Sequence, residues 1–340
     1  MAGASGRFRA LAARIDPIRS DRCAAAFRHP LPSIAIDGGR PRSVAIPAHP
    51  LTRSPASIRF NPLHAARRRV PPRAGALFAV APHDKETTMQ DQSIALVTGA
   101  NQGIGLQIAK DLVAHGYTVL VASRNAGRGE AAAREVGPNA RALQLDVTDA
   151  ASIAAAAERV RDEFGRLDLL INNAAISHAG RLPGQGIEEH ARKTRPSNVP
   201  LDEMRAVWDT NVFGVLAVYQ AMLPLLRRSP VSRIVNVSSG VGSLSTNLDP
   251  AFPYRGIFGP VYPASKTALN ALTVAMAIEL EPEGIPVNAV SPGFTKTNLN
   301  GYAGVDTVEQ GAREAVRVAL LGRDGPTGKF TRWENETIPW

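Results

Sequence analysis

An apolar run, Ile94-Ala95-Leu96-Val97, leads straight into Thr98-Gly99-Ala100-Asn101-Gln102-Gly103-Ile104-Gly105. The residues that follow carry Leu106, Ile108, Ala109, Leu112 and Val113 at helical spacing. The pattern is strand, glycine-rich turn, helix. Such a turn aims backbone N–H groups and the positive end of a helix at one point, which suits a phosphate. Gly99 permits a backbone conformation closed to residues with a Cβ. Gly103 lets a ligand approach the main chain, and Gly105 lets the helix pack closely on the strand. Taken alone, the turn could equally be structural punctuation between a strand and a helix.

The same alternation continues. Short apolar runs at Tyr117–Ala122, Ala140–Leu145, Leu167–Ile171, Arg233–Val237 and Ile285–Val290 read as strands. Helical spacing covers Ala126–Val136, Asp149 to about Phe164, Leu201 to about Arg228, Tyr262–Leu280 and Thr307–Leu321, with a short strand near Lys329–Arg332. Asp149 is placed to cap its helix. Strands that are apolar throughout imply cover on both faces, and repeated β-α units with right-handed crossovers give an open parallel sheet. The expected fold is therefore α/β: a single doubly wound Rossmann domain, with a mostly parallel sheet of about seven strands flanked by helices. Residues 177–200 and 240–261 read as two long irregular connections, and loops of that length in a compact domain are commonly functional.

Charge divides the chain in two. Residues 1–88 hold 15 Lys and Arg against 5 Asp and Glu, whereas residues 89–340 hold 24 against 25. The first 88 are rich in Arg, Pro, Ala and Ser, with no sustained periodicity, and form a basic extension to the domain at 89–340. They read as disorder, as a targeting peptide or as a nucleic-acid-binding tail. The favoured reading is that translation starts at Met89, since Lys85-Glu86 can be encoded as a ribosome-binding sequence just upstream. Intact mass of the native protein tests that start, and a mass that includes residue 1 overturns it. The one cysteine, Cys23, lies in the extension, so the domain has no disulfide or thiolate metal site. No run approaches 18 apolar residues, so no membrane span is expected. Few aromatics and no clustered basic face argue against a nucleic-acid partner for the domain. A cytoplasmic protein is expected.

In an open parallel sheet, ligands bind beyond the carboxyl ends of the strands. Every strand here is followed there by polar or turn-forming residues: the glycine turn, Ser123-Arg124, Asp146-Val147, Asn172-Asn173-Ala174, Ser238-Ser239 and Ser291-Pro292-Gly293. Tyr262 and Lys266 stand four apart on an expected helix, hence on one face. A phenol is a useful proton donor to a carbonyl, and a neighbouring ammonium would lower its pKa toward neutrality. The bland alternative is an exposed Tyr and Lys on a helix surface.

Thr98-Gly99-x-x-x-Gly103-Ile104-Gly105, Asn172-Asn173-Ala174, Ser239, Tyr262-x-x-x-Lys266 and Ser291-Pro292-Gly293 occur in order. This set resembles the short-chain dehydrogenase/reductase family from about residue 93 onward, and is most similar to members of the carbonyl-reductase type. The resemblance implies that Tyr262 exchanges a proton with the carbonyl or alcohol oxygen. Lys266 would tune Tyr262 and bind the nicotinamide ribose. Ser239, in preference to Ser238, would hydrogen-bond the substrate oxygen, and Asn211 would hold a water linking Lys266 to solvent. It also implies that the cofactor is held by Gly99, Asn101, Gln102, Gly103, Ile104 and Gly105, with Thr98 fastening the turn. Ser123, Arg124, Asp146, Val147, Asn173, Ala174, Tyr262, Lys266, Pro292, Gly293 and Thr295 would complete that site. Ala175 departs from the family, which has Gly there. Tyr254 is a rival tyrosine, but residue 258 is Phe where a lysine would be needed.

The end of the second strand, Val119 to Asn125, has no acid and one Arg. A sugar 2′-hydroxyl is met by a carboxylate, whereas a guanidinium suits a 2′-phosphate. NADP(H) is therefore the expected cofactor, with NAD(H) possible, and Gln102 is the reservation because many NADP-preferring relatives carry a basic residue there. No metal is expected, because Tyr262 and Ser239 suffice to polarise a carbonyl. The expected activity interconverts a ketone or aldehyde and an alcohol. The rival is a non-catalytic dinucleotide-binding sensor or scaffold on the same fold. Phe252, Tyr254 and Phe258 either line an apolar substrate pocket or pin their loop. Arg192–Arg195 is either a solvated surface or an anion site. The helix after Tyr262, with Ala268, Leu269, Leu272, Val274 and Met276, could serve as a face for a homo-oligomer.

Overall fold

The computed structural model describes residues 92–181 and 184–340. The expectations for residues 1–88, and the domain boundary at 88/89, lie outside the described residues. Strands β1 (Ile94–Val97), β2 (Thr118–Ser123), β3 (Ala140–Gln144), β4 (Leu169–Asn172), β5 (Arg233–Val237), β6 (Val287–Ser291), β7 (Phe330–Arg332) and β8 (Glu336–Thr337) form one sheet. Its order is β3-β2-β1-β4-β5-β6-β7-β8. Every pairing is parallel except β7 with β8, which closes the edge as a short antiparallel hairpin.

Alternation of side chains along a strand sends neighbours to opposite faces. Ile94 and Leu96 enter one core with Leu120 and Leu170, while Ala95 and Val97 enter the other with Val119, Val121 and Ile171. Helices cover both faces. The first core takes α3 (Ala150–Phe164), α6 (Gly214–Leu226) and α8 (Tyr262–Leu280) through Val160, Met222 and Leu269. The second takes α1 (Gly103–Ala114), α2 (Ala126–Val136) and α9 (Val308–Ala319) through Leu112, Ala132 and Ala315. Asp149 caps α3 as its position implies, accepting from the N–H groups of Ala151 and Ser152 at 2.8 and 3.3 Å. The chain runs from β1 outward to β3, then returns to lay β4 on the other side of β1. That reversal opens a crevice above β1 and β4.

The helix expected over 201–228 is broken in the middle. Helix α5 (Leu201–Trp208) passes into a π-helical segment, Asp209–Phe213, before α6 resumes. Gly214 is one cause of the close fit here, since a Cβ would stand 2.7 Å from the carbonyl oxygen of Val147. Leu201–Leu226 is also long and apolar enough to cross a membrane by length and composition, but more than half of its most apolar window is buried inside the protein. The two expected connections are partly ordered: helix α4 (Ile187–Lys193) lies in the first and helix α7 (Leu244–Leu248) in the second. Both are too short for periodicity to reveal. The face of α8 offered for self-association does not stand out as expected, because Leu269 and Met276 are core residues and the exposed large apolar residue on α8 is Ile278.

Candidate active site

A cleft of 650 Å³ opens over the carboxyl ends of β1 and β4, lined by Gly99, Asn101, Gln102, Gly103, Ile104 and Gly105 at its floor. The turn is stitched to β4. Thr98 Oγ1 accepts from the N–H groups of Asn173 and Ala174 at 2.9 and 3.0 Å. Asn173 Nδ2 donates back to the carbonyls of Thr98 and Gly99 at 2.8 and 3.2 Å. Gly105 tolerates no side chain, since a Cβ would stand 2.3 Å from Asn173 Nδ2 and 2.7 Å from the Gly99 oxygen. Gly99 itself adopts φ +63°, the left-handed region that favours glycine. The start of α1 therefore points into a space kept clear of side chains, a cradle for a phosphate group.

At one end of the cleft stand Arg124, Asp146 and Val147. Asp146 accepts from Thr148 N and Oγ1 at 2.9 and 2.7 Å. These bonds, with the nearby Arg124 charge, hold its carboxyl below the usual range. Ser123 is buried, its hydroxyl accepting from Asn125 N–H, and it does not border the cleft. Asn173 lines the cleft, but its side-chain nitrogen is committed to the turn. Ala174 and Pro292 border the cleft. Gly293 and Thr295 border an adjoining cavity of 170 Å³ instead.

Tyr262 lies in the wall common to the cleft and that cavity, with Lys266 on the cleft side and Ser239 on the cavity side. Lost hydration pushes the Tyr262 phenol up to about 12, against a hydrogen bond with Ser239 that lowers it. Lys266 is 2 % exposed, and burial pulls its ammonium down to about 7. The expected lowering of the phenol by the ammonium is not found here: Ser239 supplies the one opposing effect, and burial penalises both charged forms. Lys266 Nζ donates to the Val237 carbonyl at 2.8 Å and lies 5.7 Å from the Tyr262 ring centre. Ser238 points away, donating to Asn270 Oδ1 at 2.5 Å, which leaves Ser239 beside the phenol. Asn211 is buried in the π-helical segment. It accepts from Ile176 N–H and donates to Ile176 O, both at 2.9 Å, and to Ser265 Oγ at 3.0 Å. It thus ties the end of β4 to the helix bearing Tyr262.

The cavity walls are largely apolar, with Ile257, Val261, Phe294 and Leu299 among them. Phe252, Tyr254 and Phe258 are not part of them. Phe252 and Tyr254 meet edge-on at 5.7 Å and Tyr254 leans on Phe294, so these two rings pin the loop. Lys193 pairs with Glu189 on its own helix, and Arg192 and Arg195 are exposed, as for a solvated surface. Sequence reasoning missed His178, Arg181 and His190, which border the cavity. No spacing or composition signal in the first irregular connection marks them.

The family model for short chain dehydrogenases matches residues 93–307. The chain belongs to the short-chain dehydrogenase/reductase family. It is 38% identical to the short-chain dehydrogenase anuI of Penicillium roqueforti, over 72% of this chain and 96% of that one. It is 32% identical to (-)-isopiperitenone reductase of Mentha piperita, over 70% and 96%. The solved NADPH-bound carbonyl reductase from chicken fatty liver superposes with a TM-score of 0.61 at 29% identity, covering 73% of this chain and all but 1% of its own. This short-chain dehydrogenase/reductase is an oxidoreductase of the carbonyl/alcohol class. Its cleft fits a nicotinamide dinucleotide, with the side-chain-free cradle between Arg124 at one end and Tyr262 and Lys266 at the other.

Proposed function

We propose that the protein is an NADPH-dependent reductase that interconverts a ketone or aldehyde and its alcohol, with Tyr262 as general acid and base. The observation that carries this is the place of Tyr262 in the wall between the dinucleotide-sized cleft and the apolar cavity. When bound, the nicotinamide supplies the hydride. Ser239, beside the phenol on the cavity side, hydrogen-bonds the carbonyl oxygen. Tyr262 gives that oxygen its proton as negative charge develops there. Lys266, held at Val237 O, faces the ribose side and supplies positive charge. Asn211 positions Tyr262's helix through Ser265. The apolar walls exclude water from the reacting carbonyl. Residues 89–340 form the catalytic domain, acting in the cytoplasm without nucleic acid or membrane, and compatible with a homo-oligomer.

Arg124 supports NADP(H) over NAD(H), because the end of β2 itself carries no acid and the nearby Asp146 carboxylate is hydrogen-bonded to Thr148. Initial rates with both cofactors and a series of apolar ketones test the reading. Activity is expected chiefly with NADPH, and a strong preference for NADH defeats it. Arg124→Ala should cut the NADPH-over-NADH ratio of kcat/KM by about tenfold to a hundredfold, the worth of a charged hydrogen bond.

The pH profile has a definite sign. As pH rises through about 7, Lys266 loses its proton, whereas Tyr262 keeps its own up to about 12. The kcat/KM for ketone reduction should therefore fall above about pH 7, reporting groups of the free enzyme. Lys266→Met should leave a lower, flat profile across that range. A rate that climbs with pH there would contradict the assignment.

A further inference from the structure

On the first irregular connection and the helix after it, His178, Arg181, His190 and Glu203 come together at one end of the 170 Å³ cavity, and the reaction described above uses none of them. His178, Arg181 and His190 border the cavity. Glu203 lies behind them, 8 % exposed, with its Oε1 at 2.9 Å from His190 Nε2 in a short contact bent away from hydrogen-bond geometry. The two imidazoles meet at 5.8 Å, tilted 66°. Among the described residues no three His, Cys, Asp or Glu side chains are placed to hold a metal ion.

We infer that this end of the cavity is a subsite for a hydroxyl group on the substrate, remote from the carbonyl that Tyr262 serves. The inference rests on the proposed carbonyl reduction. The Glu203 carboxylate stands against His190 Nε2, so a buried negative charge backs the ring that borders the cavity. Burial and the positive neighbour Arg181 keep His178 below the ordinary imidazole value, so its ring is neutral near pH 7 and has one nitrogen that gives and one that takes a hydrogen bond. Arg181 supplies donors only. A hydroxyl both gives and takes a hydrogen bond and fits this mixture. A carboxylate would meet an imidazole acceptor with the buried Glu203 charge close behind. An all-apolar group would strand polar atoms that a hydroxyl satisfies.

Three ketones that share a skeleton separate these cases: 4-phenylbutan-2-one, its para-hydroxyl analogue, and the analogue with a para-carboxylate. The saturated linker keeps the carbonyl alike in all three. Both kcat/KM with NADPH and binding by calorimetry are measured for the native protein, for His190→Phe and for Glu203→Gln, which keeps the shape without the buried charge. The hydroxyl ketone should be favoured over the parent by about tenfold, the worth of a well-placed hydrogen bond. The ratio should approach one in His190→Phe and shrink in Glu203→Gln. Selective binding without turnover would support the subsite while breaking the proposed reaction. Equal handling of the parent and hydroxyl ketones by the native protein, preference for the carboxylate, or a preference untouched by either substitution would overturn the subsite, and would leave the reaction standing if the ketones are reduced.

Discussion

Tyr262→Phe should lower kcat for ketone reduction by about 10²- to 10⁴-fold, the usual worth of a positioned general acid, while the variant still binds NADPH. The phenol oxygen is the only atom removed. The ring continues to fill the wall between cleft and cavity, so the fold and the glycine cradle have no reason to change. What is lost is a proton held ready at neutral pH, because the enclosed phenol keeps it up to about 12. Ser239 remains to hydrogen-bond the substrate oxygen but has no neighbouring base to make it an equal acid. Stopped cofactor oxidation together with fluorescence titration of NADPH separates the two effects. Undiminished turnover would remove Tyr262 from the mechanism, and native turnover that is absent with every carbonyl compound would favour the sensor reading of the fold.

Gly105→Ala is expected to raise the Kd for NADPH by about fivefold to more than a hundredfold, from the roughly 1–3 kcal/mol that overpacking costs. The new Cβ would stand 2.7 Å from the Gly99 oxygen and 2.3 Å from Asn173 Nδ2. Neither neighbour is a loose side-chain end. The Gly99 oxygen is backbone, and Asn173 is bonded to the carbonyls of Thr98 and Gly99. Relief must therefore come from moving the turn itself, which also moves the N–H groups aimed at the phosphates. Gly127→Ala is the matched control, since its Cβ would meet nothing nearer than Asn125 Oδ1 at 3.7 Å. Calorimetric titration of both variants decides the matter, and equal affinities would refute the account.

The strands and most helices were legible because their burial imposes a pattern on composition. Ile94–Val97 and Leu169–Asn172 are covered on both faces and so read as unbroken or nearly unbroken apolar runs. The glycines of the turn, Tyr262 and Lys266 were legible because few residue types can do what those positions require. The π-helical segment was not, since helical spacing continues on either side of Asp209–Phe213 and the bonds that Asn211 makes there run to Ile176, 35 residues away in the chain. Nor were the pKa values of Tyr262 and Lys266, which depend on how much water packing removes rather than on which residues are adjacent. The cavity end with His178, His190 and Glu203 was invisible for a related reason. Its members are brought together only when α4 folds back against α5, and a seven-residue helix leaves no periodic trace.

The hairpin of β7 and β8 has a consequence for how copies of the protein can meet. A bare parallel edge offers unpaired N–H and C=O groups to any extended chain that drifts against it. Here one rim ends in a two-residue strand whose residues, Glu336 and Thr337, are both exposed. Glu336 places a carboxylate on that rim, paired with Arg332. The opposite rim, β3, is short and carries Arg141 and Gln144 outward. Neither border invites the sheet to grow, so ribbon-like joining of sheets between molecules is disfavoured at both ends. Helices and loops are then the ground left on which copies could meet with the crevice and its strand ends undistorted.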